Sequence, residues 1–316
     1  MFWYYAFMIV GINGLGRIGR AYLRQFYKSI SYINDPSSIE QLQYLLQYDT
    51  VHGKFHEPVK IKNKKLFIGK HEIRVTHESD PKKIPWSCDI MIESSGRFIN
   101  QPEIHLEKAK RVLVSAPAKC PTFVYGVNHS KLKKSDYVIN NASCTTNCVA
   151  PFLNELDKLS NVTGVDFSTV HAVTSTQSLL DLHKGRRGRS AQNIIPSTTG
   201  AAIAVEKVLP HLKNKVHGRA YRVPVLNGSV VHAVCTVKHK VSKEEVQKHF
   251  LRSKNPVLSY SKDLLVSSDI IGTTASCIID GDLIDVKGKK VYITAWYDNE
   301  WAYAARLNDM VQLMKK

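Results

Sequence analysis

The residues best suited to covalent chemistry are a cysteine and a histidine. In Ser143-Cys144-Thr145-Thr146-Asn147-Cys148 the first thiol stands just ahead of Val149, Phe152, Leu153 and Leu156. That apolar spacing predicts a helix starting near Cys144. A thiol on the first turn of a helix lies at the positive end of the backbone dipole, which favours the thiolate and its attack on an electrophilic carbon. Cys148, one turn further in, is expected to be buried and inert. A thiolate nucleophile also needs a group to handle protons. His171 follows the strand-like run 165–170 and precedes the hydroxyls of Thr174, Ser175 and Thr176. Spacing alone does not distinguish it among 13 histidines, and a packed or surface histidine is the ordinary reading of any one of them.

A second chemistry is written in Gly14-Leu15-Gly16-Arg17-Ile18-Gly19. Gly14 permits a tight turn, Gly16 lets the backbone approach a pyrophosphate, and Gly19 lets the following helix pack closely on its strand. The helix N-terminus then offers N–H groups to phosphates. Alone, such a motif is weak, because glycine turns between strand and helix are common. Asp35, at the end of the next strand, strengthens it: a carboxylate there accepts hydrogen bonds from ribose hydroxyls and repels a 2′-phosphate, which points to NAD rather than NADP. Taken by itself, Asp35 also reads as a turn residue before Pro36.

The elements around these residues follow from pattern. Short apolar runs at 7–12, 30–33, 90–92, 112–114 and 137–139, mostly β-branched or aromatic and closed by Gly, Asn, Asp or Ser, predict buried parallel strands. Between the first two, Ile18, Tyr22, Leu23 and Phe26 recur at helical spacing. Strand, glycine turn, helix and strand open a doubly wound sheet. Beyond residue 150, longer strand-like runs at 165–173, 230–237 and 291–296 alternate with helical stretches such as 199–209, the pattern of an α+β domain with a more antiparallel sheet. The fold class expected is therefore α/β, a Rossmann domain over 1–143 followed by an α+β catalytic domain over 144–301 with a largely antiparallel sheet. A last helix over about 302–316 is expected to pack back on the first domain.

With 316 residues, 43% hydrophobic and 22% charged, the composition is that of an ordinary globular protein and speaks against disorder. The apolar stretch 1–10 is too short for a bilayer span, has no positive residue before it as a signal peptide would need, and reads as the run-in to a buried strand. Six cysteines without an export signal suit reduced thiols in the cytoplasm, and neither CxxC spacing nor a nearby histidine pair supports a metal site. The net charge of +17 favours polyanionic partners in principle. Its lysines are scattered, without aromatic interleaving, so a solvated basic surface is the plainer reading.

Five motifs then occur in order: 11–20 around the glycine turn, 142–148 around Cys144, His171-Ala172-Val173-Thr174, 193–202, and Trp296-Tyr297-Asp298-Asn299-Glu300-Trp301. Together they closely resemble the glyceraldehyde-3-phosphate dehydrogenase family, from about residue 9 to the C-terminus. The resemblance implies that Cys144 attacks the aldehyde of glyceraldehyde 3-phosphate, that His171 takes the proton while hydride passes to the nicotinamide, and that inorganic phosphate resolves the thioester. It implies phosphate contacts from Ser143, Thr145, Thr174, Thr176, Thr199, Gly200 and Arg222, and from Arg186 with Arg187 and Arg189 as competitors. Cofactor contacts are implied for Gly14, Gly16, Arg17, Ile18, Asp35, Ser95, Gly96 and Ser115, with Asn299 orienting the nicotinamide amide and Tyr303 packing beside that ring. A homotetramer is implied by the same analogy.

Departures from the family pattern fall in the shortened stretches between His171 and Thr199 and over 119–127, at Ser79 in place of an arginine, and at Ala302 in place of a glycine. They bear on oligomer geometry, cofactor affinity and the phosphate loop. Two other readings stand beside the main one. A sister enzyme would let water resolve the thioester of another phosphorylated aldehyde such as erythrose 4-phosphate, against which Thr199-Gly200 speaks. A polyanion- or nucleic-acid-binding role on a retained dehydrogenase fold is compatible as a secondary function.

Overall fold

The glycine turn is built by three adjacent parallel strands. In the computed structural model, which describes residues 8–315, β1 (Val10–Asn13) is buried along its whole length and runs into α1 (Arg17–Phe26), then β2 (Ile30–Asn34) and α2 (Ile39–Gln47). Residues 1–7 of the expected run-in lie outside the described residues. After three further strands, β3 (Val59–Lys62), β4 (Lys65–Ile68) and β5 (His71–Thr76), come β6 (Cys88–Glu93), β7 (Ala109–Val114) and β8 (Val138–Asn140). The sheet order is β8-β7-β6-β1-β2-β5-β4-β3, parallel from β8 to β5 and antiparallel in the last two pairings. Strands buried on both faces explain the continuous apolar runs of β1 and β6.

The edge strand β3 alternates lysines, Val59-Lys60-Ile61-Lys62, so its apolar signal is diluted and no strand was expected there. Lysines on an edge keep it from pairing with another chain, and this places part of the excess charge.

The second sheet collects α3 (Cys144–Ser160), β9 (Val162–His171), β10 (Ile195–Thr198), α4 (Ala201–Val208), β11 (Val216–Arg222), β12 (Ser229–Val237), α5 (Lys243–Leu251), β13 (Leu258–Ser261), β14 (Cys277–Asp280) and β15 (Lys290–Tyr297). Its order is β10-β11-β9-β12-β15-β14-β13, and only β9 with β11 and β13 with β14 run parallel. Burial alternates along β9 and β12, so one face is covered. Phe152, Leu153 and Leu156 of α3, Val205 of α4 and Phe250 of α5 meet Val165, Phe167, Val231 and Ile293 there. Each such fully buried side chain contributes about 1.5–3 kcal/mol. This core holds the start of α3 and the end of β9 in place.

By internal contacts the chain divides into two units, one of residues 1–121, 132–141 and 307–316, the other of 122–131 and 142–306. The last helix, α6 (Trp301–Met314), contributes to both.

Candidate active site

Helix α3 begins where its cap dictates. The Ser143 hydroxyl accepts a hydrogen bond from the Thr146 N–H at 3.1 Å, so Cys144 is the first helical residue. Just before it, Ala142 holds a left-handed φ of 53°, unusual for a side chain with a Cβ. The hydroxyl of Tyr303 donates to the Ala142 carbonyl at 2.9 Å and secures that turn. Strand β9 ends at His171 and brings its Nε2 to 3.4 Å from Cys144 Sγ. The parallel register of β9 with β11 sets Arg222 opposite His171, with Nη1 2.6 Å from Nδ1.

Burial pushes the Cys144 thiol up from its ordinary range, although the Arg222 cation and the N–H and hydroxyl of Thr145 favour the thiolate. Burial also pushes His171 down to about 4, with Arg222 adding to the effect and the Ala172 carbonyl opposing it. Burial thus opposes charge on both members of the pair. Cys148 is fully buried, and burial together with the thiols of Cys277 and Cys144 raises it well above the usual range, which leaves it inert.

The hydroxyls expected to bind phosphate fall into two groups. Thr174 and Thr176 lie side by side in the loop after β9, Oγ1 to Oγ1 3.0 Å, and reach solvent. Thr199 Oγ1 accepts from the Ala201 N–H at 3.1 Å just ahead of α4, and Gly200, at the N-cap, is exposed with open space where a side chain would stand. The Thr145 hydroxyl instead faces inward, 2.9 Å from Tyr297 OH, which also lies 2.8 Å from Thr169 Oγ1. Its residue is 4% exposed, so this hydroxyl is turned away from any bound phosphate. Of the three arginines in the loop, Arg187 donates to Thr198 Oγ1 at 2.7 Å and Arg189 pairs with Asp181 at 2.9 Å. Arg186 is exposed and has no such partner among the described residues.

Asn299 and Tyr303 are both buried. The Asn299 carbonyl oxygen accepts from Ser229 Oγ at 2.9 Å, and Ser229 in turn accepts from the Ala172 N–H at 3.1 Å. The amide nitrogen of Asn299 is thereby directed by the residue next to His171. Asp298 caps α6 through the N–H groups of Glu300 and Trp301 at 2.8 and 2.7 Å and accepts from Asn227. Neither Ser229, Tyr297 nor Asp298 was singled out from sequence. Of these, only Asp298 carried a local signal, an acidic residue just ahead of a helix.

In the first unit, Gly14 holds φ 91° and a Cβ there would meet the Ser95 backbone at 2.4 Å. A Cβ on Gly19 would meet the Gly14 carbonyl at 2.4 Å, whereas one on Gly16 would meet nothing within 4 Å. That open cradle, at a helix start with no side-chain cap, would admit a pyrophosphate. Arg17 and Ile18 form the first helical turn, and Arg17 is oriented by Asp49 at 2.5 Å. Asp35 accepts from the N–H of Leu15 at 2.7 Å and of Ser37 at 2.9 Å, so each oxygen keeps a lone pair for a ribose hydroxyl.

Beneath this crevice the buried carboxylate of Glu93 accepts from Asn13 Nδ2 at 2.6 Å and from the Ser95 N–H at 2.8 Å, and Asn34 donates to Asn13 at 2.8 Å. His105 Nε2 lies 2.8 Å from Glu93, off the axis of a good hydrogen bond. Ser115 donates its N–H to the Glu93 carbonyl at 2.9 Å, and Gly96, at φ 72°, leaves open space beside Ser95. The residues present thus fit NAD.

A dinucleotide crevice in one unit and a thiol held against an imidazole in the other define an NAD-dependent oxidoreductase. Within that class, the chain belongs to the glyceraldehyde-3-phosphate dehydrogenase family. The family profile for the NAD binding domain matches residues 8–101, and that for the C-terminal domain matches residues 143–299. The chain is 44% identical to the glyceraldehyde-3-phosphate dehydrogenase of Streptomyces coelicolor, over 95% of this chain and 96% of the relative. It is 42% identical to that of Geobacillus stearothermophilus over the same shares, and 43% identical to glyceraldehyde-3-phosphate dehydrogenase 1 of Schizosaccharomyces pombe over 96% of each.

Proposed function

We propose that this chain oxidises D-glyceraldehyde 3-phosphate to 1,3-bisphosphoglycerate through a thioester on Cys144. The observation that carries the reading is the 3.4 Å approach of Cys144 Sγ to His171 Nε2 at the capped start of α3. Cys144 sulfur attacks the aldehyde carbon, and its proton passes to His171 Nε2. The oxyanion formed is stabilised by the protonated imidazole and the backbone N–H of Cys144. NAD, when bound, supplies the two-electron oxidant. Gly14, Gly16, Arg17, Ile18, Asp35, Ser95, Gly96 and Ser115 hold it, and Asn299 orients its amide.

Two phosphates are then accommodated. Arg222, Thr174 and Thr176 hold that of the substrate, and Ser143, the Thr145 N–H, Thr199 and Gly200 hold the attacking ion, which resolves the thioester. Arg186 is the remaining arginine of that loop available to either. NADH formation that requires inorganic phosphate tests this reading; turnover of the aldehyde at the same rate without phosphate would indicate resolution by water.

The working form proposed is a homotetramer. Leu179, Leu180 and Ile194 are 70%, 78% and 71% exposed on the loop between β9 and β10, a cost that subunit contacts remove. No helix among the described residues is long and apolar enough to cross a membrane, and the free cysteines fit a cytoplasmic setting.

A further inference from the structure

Helix α1 ends on an arginine that the surrounding fold only partly satisfies. Arg24, in its last turn, is 4% exposed. Its Nη2 donates to the Gly53 carbonyl at 2.6 Å, and its Cζ lies 5.1 Å from the centre of the Phe55 ring. Nε and Nη1 have no acceptor, and no carboxylate pairs with the guanidinium among the described residues. A buried cation with unmet donors is costly, and a nearby anion offsets that cost.

Arg24 lines a cavity of about 410 Å³ together with Lys28 and Glu57. A second cavity, of about 750 Å³, shares Tyr27, Lys28 and Glu57 with the first and adds Lys60 and Lys70. All of these residues belong to the first unit. The walls are held by backbone. Lys60 stands on β3, and Lys70 follows Gly69, a turn residue at φ 57° whose N–H donates to the Pro58 carbonyl at 3.0 Å. Asp49 accepts from the N–H groups of Val51 and His52 at 2.9 and 3.0 Å, which shapes the loop that presents Gly53 to Arg24. Lys28, Lys60 and Lys70 are exposed and form no ion pair among the described residues. Glu57 is the one carboxylate lining either cavity among those residues, and the Tyr27 hydroxyl donates to its Oε1 at 3.0 Å.

From this arrangement we infer that the two joined cavities form a binding site for a compact polyphosphate anion, at the opposite end of α1 from the Gly16 cradle. Three unpaired lysines and a buried guanidinium, set against one carboxylate, draw anions from solvent. Each ammonium brings three donors that follow phosphate oxygens without imposing one geometry. Linked phosphates engage Lys60 and Lys70 in the larger cavity and Lys28, beside Arg24, in the smaller one at the same time, so the second contact follows from the first at high effective concentration. Nucleic acid suits the site less well. Tyr27, the ring common to both cavities, is 8% exposed with Lys28 Nζ 5.8 Å from its centre, and it offers no face on which a base could stack.

The test is calorimetric titration of inorganic tripolyphosphate into the full-length protein, saturated with NAD and with sn-glycerol 3-phosphate so that the cofactor crevice and the substrate-phosphate residues are occupied. Lys60→Gln with Lys70→Gln should weaken binding at least about tenfold, while kcat and the KM values for NADH formation stay unchanged. Glu57→Gln, which keeps an acceptor for Tyr27 and removes the opposing charge, should tighten binding several-fold. Inorganic phosphate should bind at least about tenfold more weakly than tripolyphosphate. Equal tripolyphosphate affinities of wild type and the lysine variant overturn the proposal, as do equal affinities for phosphate and tripolyphosphate. A single-stranded RNA oligomer that binds more tightly than tripolyphosphate, and loses that affinity in the lysine variant, overturns the assigned ligand class.

Discussion

Tyr303 donates its hydroxyl to the carbonyl of Ala142, two residues ahead of Cys144, at 2.9 Å. The tyrosine is 4% exposed, so its hydroxyl serves the left-handed turn that aims the first residue of α3. Tyr303→Phe should cost about 1 kcal/mol of stability and lower kcat several-fold, while KM for NAD stays within about twofold. Steady-state kinetics separate this from a role beside the nicotinamide, which would raise KM for NAD.

Glu93 ties Asn13, at the entry to the glycine turn, to Ser95 on the next loop. Glu93→Gln keeps the shape but turns an acceptor toward a donor at Asn13. NAD affinity should fall about tenfold, the effect of roughly 1.4 kcal/mol, with the catalytic rate at saturating NAD little changed. Calorimetric titration of NAD reads this directly, and equal affinities would show that Glu93 does not organise the crevice.

His171 binds a proton less readily in the folded protein, at about 4, than in an unfolded chain. Below about pH 6.5 the unfolded state takes up a proton that the native state refuses. Its contribution is therefore intact above that pH and lost as pH falls toward about 4, up to about 3 kcal/mol. Urea unfolding across this window should show wild type losing stability faster than His171→Asn. Parallel curves would contradict the burial effect.

The exposed leucines of the β9–β10 loop supply a further check. Leu179→Asp with Leu180→Asp should shift the particle to a lower mass in light scattering while leaving the fold intact by circular dichroism. An unchanged mass would place the subunit contacts elsewhere.

Much of the site was legible because its parts are local. The helical spacing after Cys144, the run before His171 and the turn at Gly14 are written within a few residues of the groups they position. The partners were not legible, because strand register brings them from afar: Arg222 is 51 residues from His171, Tyr297 is 152 from Thr145, and Ser229 is 70 from Asn299. Nor does a helix-start motif reveal the desolvation that opposes charge on Cys144. The lysine-bearing edge strand β3 was hidden by the same alternation that makes it a soluble edge.

The central claim, covalent catalysis by Cys144, is tested most directly by mass spectrometry of the protein quenched during turnover of glyceraldehyde 3-phosphate with NAD and no inorganic phosphate, beside Cys144→Ala. The account predicts a mass increase of one phosphoglyceroyl group on Cys144 that phosphate discharges, together with NADH formation reduced at least about a thousandfold in the variant. An unmodified Cys144 during turnover, or a variant that retains the wild-type rate, would contradict it.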